Sequence, residues 1–316
     1  MKHPLRLVGI ATVLALAGCA GNADRQFASL GTAGTGGIYY PLGGALARMI
    51  GEGVPQLQVT AEVTGGSVEN LNRVASGEMD LGMAIGTTLA QAVAGDDSAR
   101  YADVRIVAPL YPNVAHLLVS PDSDVTALAD AREMRISIGA PGSGTEQMAR
   151  EILAAHALGL DDIDPQYLSF SESATALRDG TIEIAILSVG YPAAAVLEAT
   201  TTGGVGLLSI EPTPLQALLE AHPYYVASEI PADVYPGAGQ AVQTVAMMNW
   251  IFAREDLPAE IVYATLDALR DRIDELATVN DVARQIDMGA LENPPMPLHP
   301  AVSEWLRTSP PATPGT

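Results

Sequence analysis

Two glycine-rich turns, each set between an apolar run and a helical pattern, constrain this chain more than any other feature. The first is Leu30-Gly31-Thr32-Ala33-Gly34-Thr35-Gly36-Gly37-Ile38-Tyr39-Tyr40-Pro41, with four glycines in seven residues. Phe27 to Leu30 ahead of it reads as a strand. Behind it Leu42, Leu46, Met49 and Ile50 share one helical face. Glycines let the backbone approach a ligand closely, and the helix that follows begins with unpaired N–H groups. Strand, turn and helix start together suit an anion, phosphate or carboxylate. Ile138-Gly139-Ala140-Pro141-Gly142-Ser143-Gly144-Thr145 repeats the plan 108 residues on, with Ser143 where Thr35 stood.

With 316 residues the chain can bury a large core and divides into two lobes. Residues 1–18 stand apart from that core. Lys2 and Arg6 give a basic start, Leu7 to Leu16 is a short apolar run, and Leu16-Ala17-Gly18-Cys19 closes it. The run is too short for a permanent membrane span and reads as an export signal. Leu-Ala-Gly-Cys resembles a bacterial lipobox, which implies cleavage before Cys19 and lipid on its side chain. Cys19 is the single cysteine, so no disulfide forms within the chain. Without the signal, 14 basic residues face 37 acidic ones, a net charge of −23, and no lysine remains. Such a surface repels nucleic acid and anionic lipid. A P-loop is excluded because it needs a lysine after its glycines.

In order, residues 19–26 form a tether, followed by strand, loop and helix, and by a strand from Leu57 to Val63. Thr64-Gly65-Gly66-Ser67-Val68-Glu69-Asn70 then opens a further helix ending near Gly77. The apolar runs Met79 to Ile85 and Val104 to Leu110 read as strands buried on both faces, and Leu117 to Ser120 as a crossing segment. A second βαβαβ unit follows: strand 135–139, helix 145–156, strand 166–169, helix 173–179 and strand Ile184 to Val189. Helix 193–199, strand 205–210 and helix 213–221 come next, then an irregular Pro-rich stretch around His222-Pro223-Tyr224-Tyr225. Val242 to Phe252 returns to the first lobe, and helices 258–274 and 279–286 complete it. The expected architecture is α/β and two-lobed, of the type II periplasmic binding protein plan. It has two parallel-rich sheets, helices on both faces and a hinge of two crossings. Lobe I takes 27–115 with 243–308, lobe II takes 116–242, and 309–316 is a disordered tail.

Ligands of open α/β sheets lie at the carboxyl ends of the strands, where both Gly-rich loops fall. The candidate ligand contacts are Thr32, Gly36, Gly37 and Tyr39 from the first loop and Ser143, Gly144 and Thr145 from the second. Ser67 and Asn70 either touch the ligand or cap a helix. Ser188 and Gly190 end an apolar strand at the same face. Two opposed helix ends suit a small dianion or zwitterion. Each end contributes about 0.3–1 kcal/mol, whereas micromolar affinity needs about 8 kcal/mol, so neutral donors and lobe closure supply the rest. Catalytic and metal sites are not expected. His116, His156 and His222 lack partners at metal spacing, His299 in Pro-Leu-His-Pro reads as structural, and neither a Gly-x-Ser-x-Gly elbow nor Gly-x-Gly-x-x-Gly is present. No cofactor is implied.

The stretches Gly31 to Gly43, Thr64 to Asn70, Gly139 to Thr145 and Pro297-Leu298-His299-Pro300 resemble, in order, the TAXI-type solute receptors of TRAP transporters. The resemblance implies an exported monomeric receptor, lipid-anchored in the periplasm, that hands a small carboxylate to a TRAP-type membrane permease driven by an ion gradient. Dicarboxylates, 2-oxoacids and glutamate-like molecules are the class implied. Where many relatives carry a Gln-Ser-Asp-like stretch, this chain reads Ile85-Gly86-Thr87-Thr88. That departure makes Thr87 a candidate contact and favours a carboxylate without an amine. Two rivals stand beside this reading: an exported hydrolase or transferase using Ser143 as nucleophile, and a ligand-sensing subunit of a signalling system.

Overall fold

The computed structural model describes residues 26–236 and 239–308. The proposed export signal, Cys19, nearly all of the tether and the C-terminal tail lie outside the described residues. The chain begins with β1 (Gln26–Gly31), α1 (Tyr39–Gly53), β2 (Leu57–Glu62), α2 (Ser67–Ser76), β3 (Leu81–Ile85) and α3 (Gly86–Ala94). The long strand β4 (Val104–Val119) leads to β5 (Arg135–Ser137), α4 (Gly144–Ala155), β6 (Asp164–Gln166), α5 (Phe170–Arg178), β7 (Ile184–Val189), α6 (Ala194–Gly203), β8 (Gly206–Leu208), α7 (Pro212–Ala221) and β9 (Val226–Ile230). The long strand β10 (Val242–Arg254) then returns to α8 (Ala259–Asp271), α9 (Ile273–Val279) and α10 (Pro300–Thr308).

The apolar strands β3 and β7 are buried along their whole length. They are covered on both faces, so neither needs polar alternation. The sheet departs from expectation. All ten strands join one sheet, with the main path β2-β1-β3-β10-β4-β7-β5-β6. The outer pairs on each flank are parallel, while β3/β10, β10/β4 and β4/β7 are antiparallel. The two expected sheets are therefore fused, because β4 and β10 each run unbroken through both lobes. Pro109 and Pro112 suggest a break in β4, since neither has an N–H to give. Register shifts between Met248 and Trp250 and between Ile251 and Phe252 absorb the irregularity, and the strand continues.

Lobe I is built on β1–β3 with α1, α2 and α8, and lobe II on β5–β7 with α4 and α5. Three local elements differ from the sequence reading. α5 starts at Phe170 because Ser169 and Glu172 form a capping box. A helix, α3, follows Ile85 directly, and the Pro-rich stretch after α7 contains β9, which pairs with β10.

His116, on β4, lies in the shared centre of the fold and is wholly buried. Its Nδ1–H donates to Val114 O (3.1 Å), and Tyr235 Oη, which accepts from Ala193 N (3.1 Å), donates to its Nε2 (3.0 Å). Burial, partly offset by the Val114 bond, lowers its pKa to about 4. The unfolded chain binds this proton near pH 6.5 and the folded chain does not, so stability falls as pH drops from about 6.5 towards 4. Between pH 7 and pH 5 urea denaturation should show the wild type losing about 2 kcal/mol more than His116→Gln. Parallel losses in the two proteins would refute the assignment.

Candidate functional site

One cavity of about 250 Å³ lies between the lobes, walled by both glycine loops. Lobe I contributes Gly37 and Tyr39 at the start of α1, Thr64 to Ser67 ahead of α2, and Ile85. Lobe II contributes Ser143, Gly144 and Thr145 at the start of α4, Ser169 and Phe170 at the start of α5, and Ser188 at the end of β7. Tyr111 and Asn113 enter from β4.

The lobes meet directly around this space. Val68 N and Glu69 N, in the first turn of α2, both donate to Gly142 O at 3.1 Å, so lobe II caps a lobe I helix. Further out, Thr88 Oγ1 donates to Gln147 Oε1 (2.8 Å) and Gln91 Nε2 to Glu151 Oε1 (2.6 Å), joining α3 to α4. A Cβ at Gly36 would stand 2.4 Å from Ser171 Oγ, and one at Gly144 2.6 Å from Ser67 Oγ. Small residues are thus required where the two loops face the opposite lobe. These contacts describe a closed arrangement.

Of the candidate residues, Gly37, Tyr39, Ser67, Ser143, Gly144, Thr145 and Ser188 line the cavity. The structure places Thr32, Gly36, Asn70, Thr87 and Gly190 elsewhere. Thr32 is buried and donates to Glu62 O (2.6 Å). Asn70 is buried and ties Thr32 O (2.7 Å), Met83 O (2.8 Å) and Thr64 Oγ1 (2.7 Å) together behind the wall. Gly36 packs on Ser171 and accepts from Ala195 N (3.4 Å), Thr87 Oγ1 faces Met247 Sδ (3.5 Å), and Gly190 lets Tyr111 and Ile38 close over it. Ser67 follows the cap residue Gly66, and its Oγ accepts from Ile85 N (3.1 Å). Sequence reading missed Tyr111, Asn113, Ser169 and Phe170. Ser169-x-x-Glu172 was the available signal for the last pair. Nothing local marks Asn113, because β4 reads as a plain buried strand.

The cavity's electrostatics depart from a dianion site. No lining residue is Asp, Glu, His, Lys or Arg. Glu69 accepts from Gly65 N (2.7 Å) and Glu146 from Gly142 N (3.1 Å), so carboxylates already engage loop amides at the ends of α2 and α4. Ser143 Oγ caps α4 by accepting from Glu146 N (3.0 Å) and has no base among the lining residues. The amides of Gly144 and Thr145, the first two of α4, are the ones the helix leaves without internal partners. Two free amides of this kind can serve one oxyanion, and no charged side chain lines the cavity beside them.

Tyr39 Oη donates to Asn249 Oδ1 (2.5 Å), and Asn249 Nδ2 donates to Tyr111 O (2.8 Å). Burial pushes both tyrosine hydroxyls above their ordinary pKa, so they stay neutral donors. Asn113 differs: Nδ2 donates to Ser188 Oγ (2.8 Å), while Oδ1 is buried with no partner among the described residues. An unpaired buried acceptor costs roughly 1–3 kcal/mol. His299 Nδ1 accepts from Ala301 N (3.1 Å) at the start of α10, a local role far from this wall. Among the described residues no His, Cys, Asp and Glu cluster could hold a metal, and no helix is long and apolar enough to cross a membrane.

The model of the NMT1-like family matches residues 30–307. The chain belongs to that family. This corrects the expected assignment to the TAXI-type receptors of TRAP transporters. The glycine string behind that expectation folds as a strand–turn–helix that buries Ile38 and Leu42 and walls an interlobe cavity. That demand is one of architecture, and it does not single out one transporter class. Similar solved structures include the periplasmic binding protein BugD, at 12% identity over 90% of this chain and 95% of that one, with a TM-score of 0.58. PhnD1 from Prochlorococcus marinus, in complex with methylphosphonate, matches at 8% identity over 90% and 98%, with a TM-score of 0.53. A binding protein component of an ABC phosphonate transporter from Pseudomonas aeruginosa matches at 13% over 84% and 81%, with a TM-score of 0.51. The NMT1-like chain therefore has the two-lobed periplasmic binding protein fold.

Proposed function

We propose that this NMT1-like protein is an extracytoplasmic solute-binding receptor of an import system, which closes its lobes over one small organic oxyanion and presents it to a membrane permease. The observation that carries the reading is the interlobe cavity at the carboxyl ends of the strands, lined from both lobes and rimmed by interlobe hydrogen bonds. The export signal and lipobox-like Leu16 to Cys19 support a lipid tether outside the cytoplasm. The α4 amides and the hydroxyls of Ser67, Thr145 and Ser188 would hold a carboxylate, phosphonate or sulfonate group, and Tyr39, Ile85, Tyr111 and Phe170 its carbon skeleton. Similar folds named for phosphonate binding make a phosphonate as eligible as a carboxylate, and a sulfonate presents the same kind of acceptor oxygens. The hydrolase alternative has lost its motivation, because Ser143 serves as a helix cap with no base along the wall.

A thermal-shift screen of the purified protein against matched small carboxylates, phosphonates and sulfonates tests this reading. A ligand at about 100 times its dissociation constant should stabilise the fold by about 2.7 kcal/mol, raising the melting temperature by several degrees. No response to any member of the three classes would overturn the oxyanion receptor.

A further inference from the structure

Asn113 breaks a rule that the buried polar residues around the cavity obey. Asn249 on β10, and Asn70 and Thr32 behind the wall, all engage their polar side-chain atoms in hydrogen bonds. Asn113 is only 3% exposed, belongs to the cavity wall, and keeps Oδ1 without a partner among the described residues. Its position is held from two sides. On β4 it pairs with Met247 of β10, and its Nδ2 is fixed on Ser188 Oγ of β7 at 2.8 Å. With Nδ2 on Ser188 Oγ, the unspent capacity of the amide lies on Oδ1. Ser188 Oγ, as the acceptor in this pair, retains its own hydrogen to give. Asn113 and Ser188 thus offer an acceptor and a donor side by side in a wall without charged groups.

Buried polar groups in folded proteins are rarely left unpaired, and each exception calls for an explanation; on the wall of a ligand cavity, a group carried by the solute supplies one. A partner for Oδ1 must be an N–H or O–H. A bare carboxylate, sulfonate or fully ionised phosphonate on an alkyl chain has none. A dianion is also poorly matched, since Glu69 and Glu146 already occupy loop amides and no fixed cation lines the cavity. We propose that Asn113, supported by Ser188, is the specificity-determining residue of this cavity and selects a small solute that carries a hydroxyl or amino donor in addition to a singly charged oxyanion. The inference rests on the receptor reading of the cavity and narrows its ligand class to short hydroxy- and amino-substituted acids. It widens the preference for an amine-free carboxylate drawn from Ile85 to Thr88, by admitting an amino donor beside a hydroxyl.

Calorimetric titration with matched pairs decides it: lactate and alanine against propionate, isethionate and taurine against ethanesulfonate, 2-aminoethylphosphonate against ethylphosphonate. In at least one class the donor-bearing member should bind about tenfold more tightly than its bare partner. Asn113→Leu should reduce that preference to less than about threefold while leaving the melting temperature of the ligand-free protein unchanged or higher, because a buried unpaired acceptor has been removed. Ser188→Ala, which cannot disturb packing by added bulk, should weaken the same preference in part. Equal binding of matched members by the wild type would overturn the selectivity and leave the receptor standing. A destabilised Asn113→Leu protein with its preference intact would show Asn113 to be structural. Binding of no probe from any pair would overturn the receptor reading and this inference together.

Discussion

Asn70→Ala is expected to cost about 3–5 kcal/mol of folding stability, a large share of the 5–15 kcal/mol that holds a typical domain together. Asn70 is wholly buried, and one side chain serves three groups: it donates to Thr32 O and Met83 O and accepts from Thr64 Oγ1. Alanine takes the side-chain donor from Met83 O and leaves Thr32 O and the hydrogen of Thr64 Oγ1 with only their bond to each other (3.0 Å), in a space too tight for rearrangement. Gly31 is pressed so closely against Asn70 and Met79 that a Cβ there would stand 2.6 Å from Asn70 Oδ1 and 2.2 Å from Met79 Sδ. Guanidinium unfolding followed by circular dichroism measures the loss directly. A cost below about 1 kcal/mol would mean that these bonds carry little net energy in this setting. The expected ligand effect is indirect, through displacement of the first loop, so affinity measured on the folded fraction should change less than stability.

Gly144→Val is expected to do the opposite, abolishing measurable ligand binding while leaving the ligand-free protein folded. Gly144 has an ordinary backbone conformation, so valine brings no backbone strain of the positive-φ kind, unlike Gly139 at φ +94° or Gly142 at φ +71°. The obstacle lies across the cleft. A Cβ at Gly144 would approach Ser67 Oγ to 2.6 Å and Ile85 Cδ1 to 2.7 Å, and both belong to lobe I. Ser67 cannot simply turn away, because its Oγ accepts the Ile85 amide (3.1 Å). Relief comes from parting the lobes, which also separates α2 from the Gly142 carbonyl that caps it. A receptor that cannot close forfeits the enclosure on which its affinity depends, and a loss of at least about 100-fold, or roughly 2.7 kcal/mol, should follow. Titration calorimetry with whichever solute stabilises the wild type provides the check. Retained affinity in a folded Gly144→Val protein would show that the closed contact between these loops is not needed for binding.

Much of this architecture was legible in the sequence because the signals are local. The all-apolar runs of β3 and β7 report burial on both faces wherever they stand. The equally local pair Ser169 and Glu172 went unread, but the glycine turns act within a few residues, and Ser143 with Glu146 three residues on caps within a single turn of helix. That was enough for the α/β two-lobed fold and for seven of the twelve candidate contacts on the cavity wall. Resemblance of the glycine string went further than local signals allow, and the family match corrected the transporter class drawn from it.

The tertiary structure decided what depends on distant partners. Asn113 and Ser188 are 75 residues apart, and only the register of β4 against β7 makes one the hydrogen-bond partner of the other. Asn70 and Thr32 look like ligand residues by composition, but their side chains turn into the bonding behind the loops. The two expected sheets became one because β4 and β10 pair along their length despite two prolines, a balance of long-range bonds that no window of sequence contains. The sequence by itself determined the turns, caps and buried strands, whose free energies are settled between near neighbours. Only the packed fold determined which glycines face the other lobe and which polar atoms are satisfied, because those depend on chain segments that meet after long-range pairing is complete.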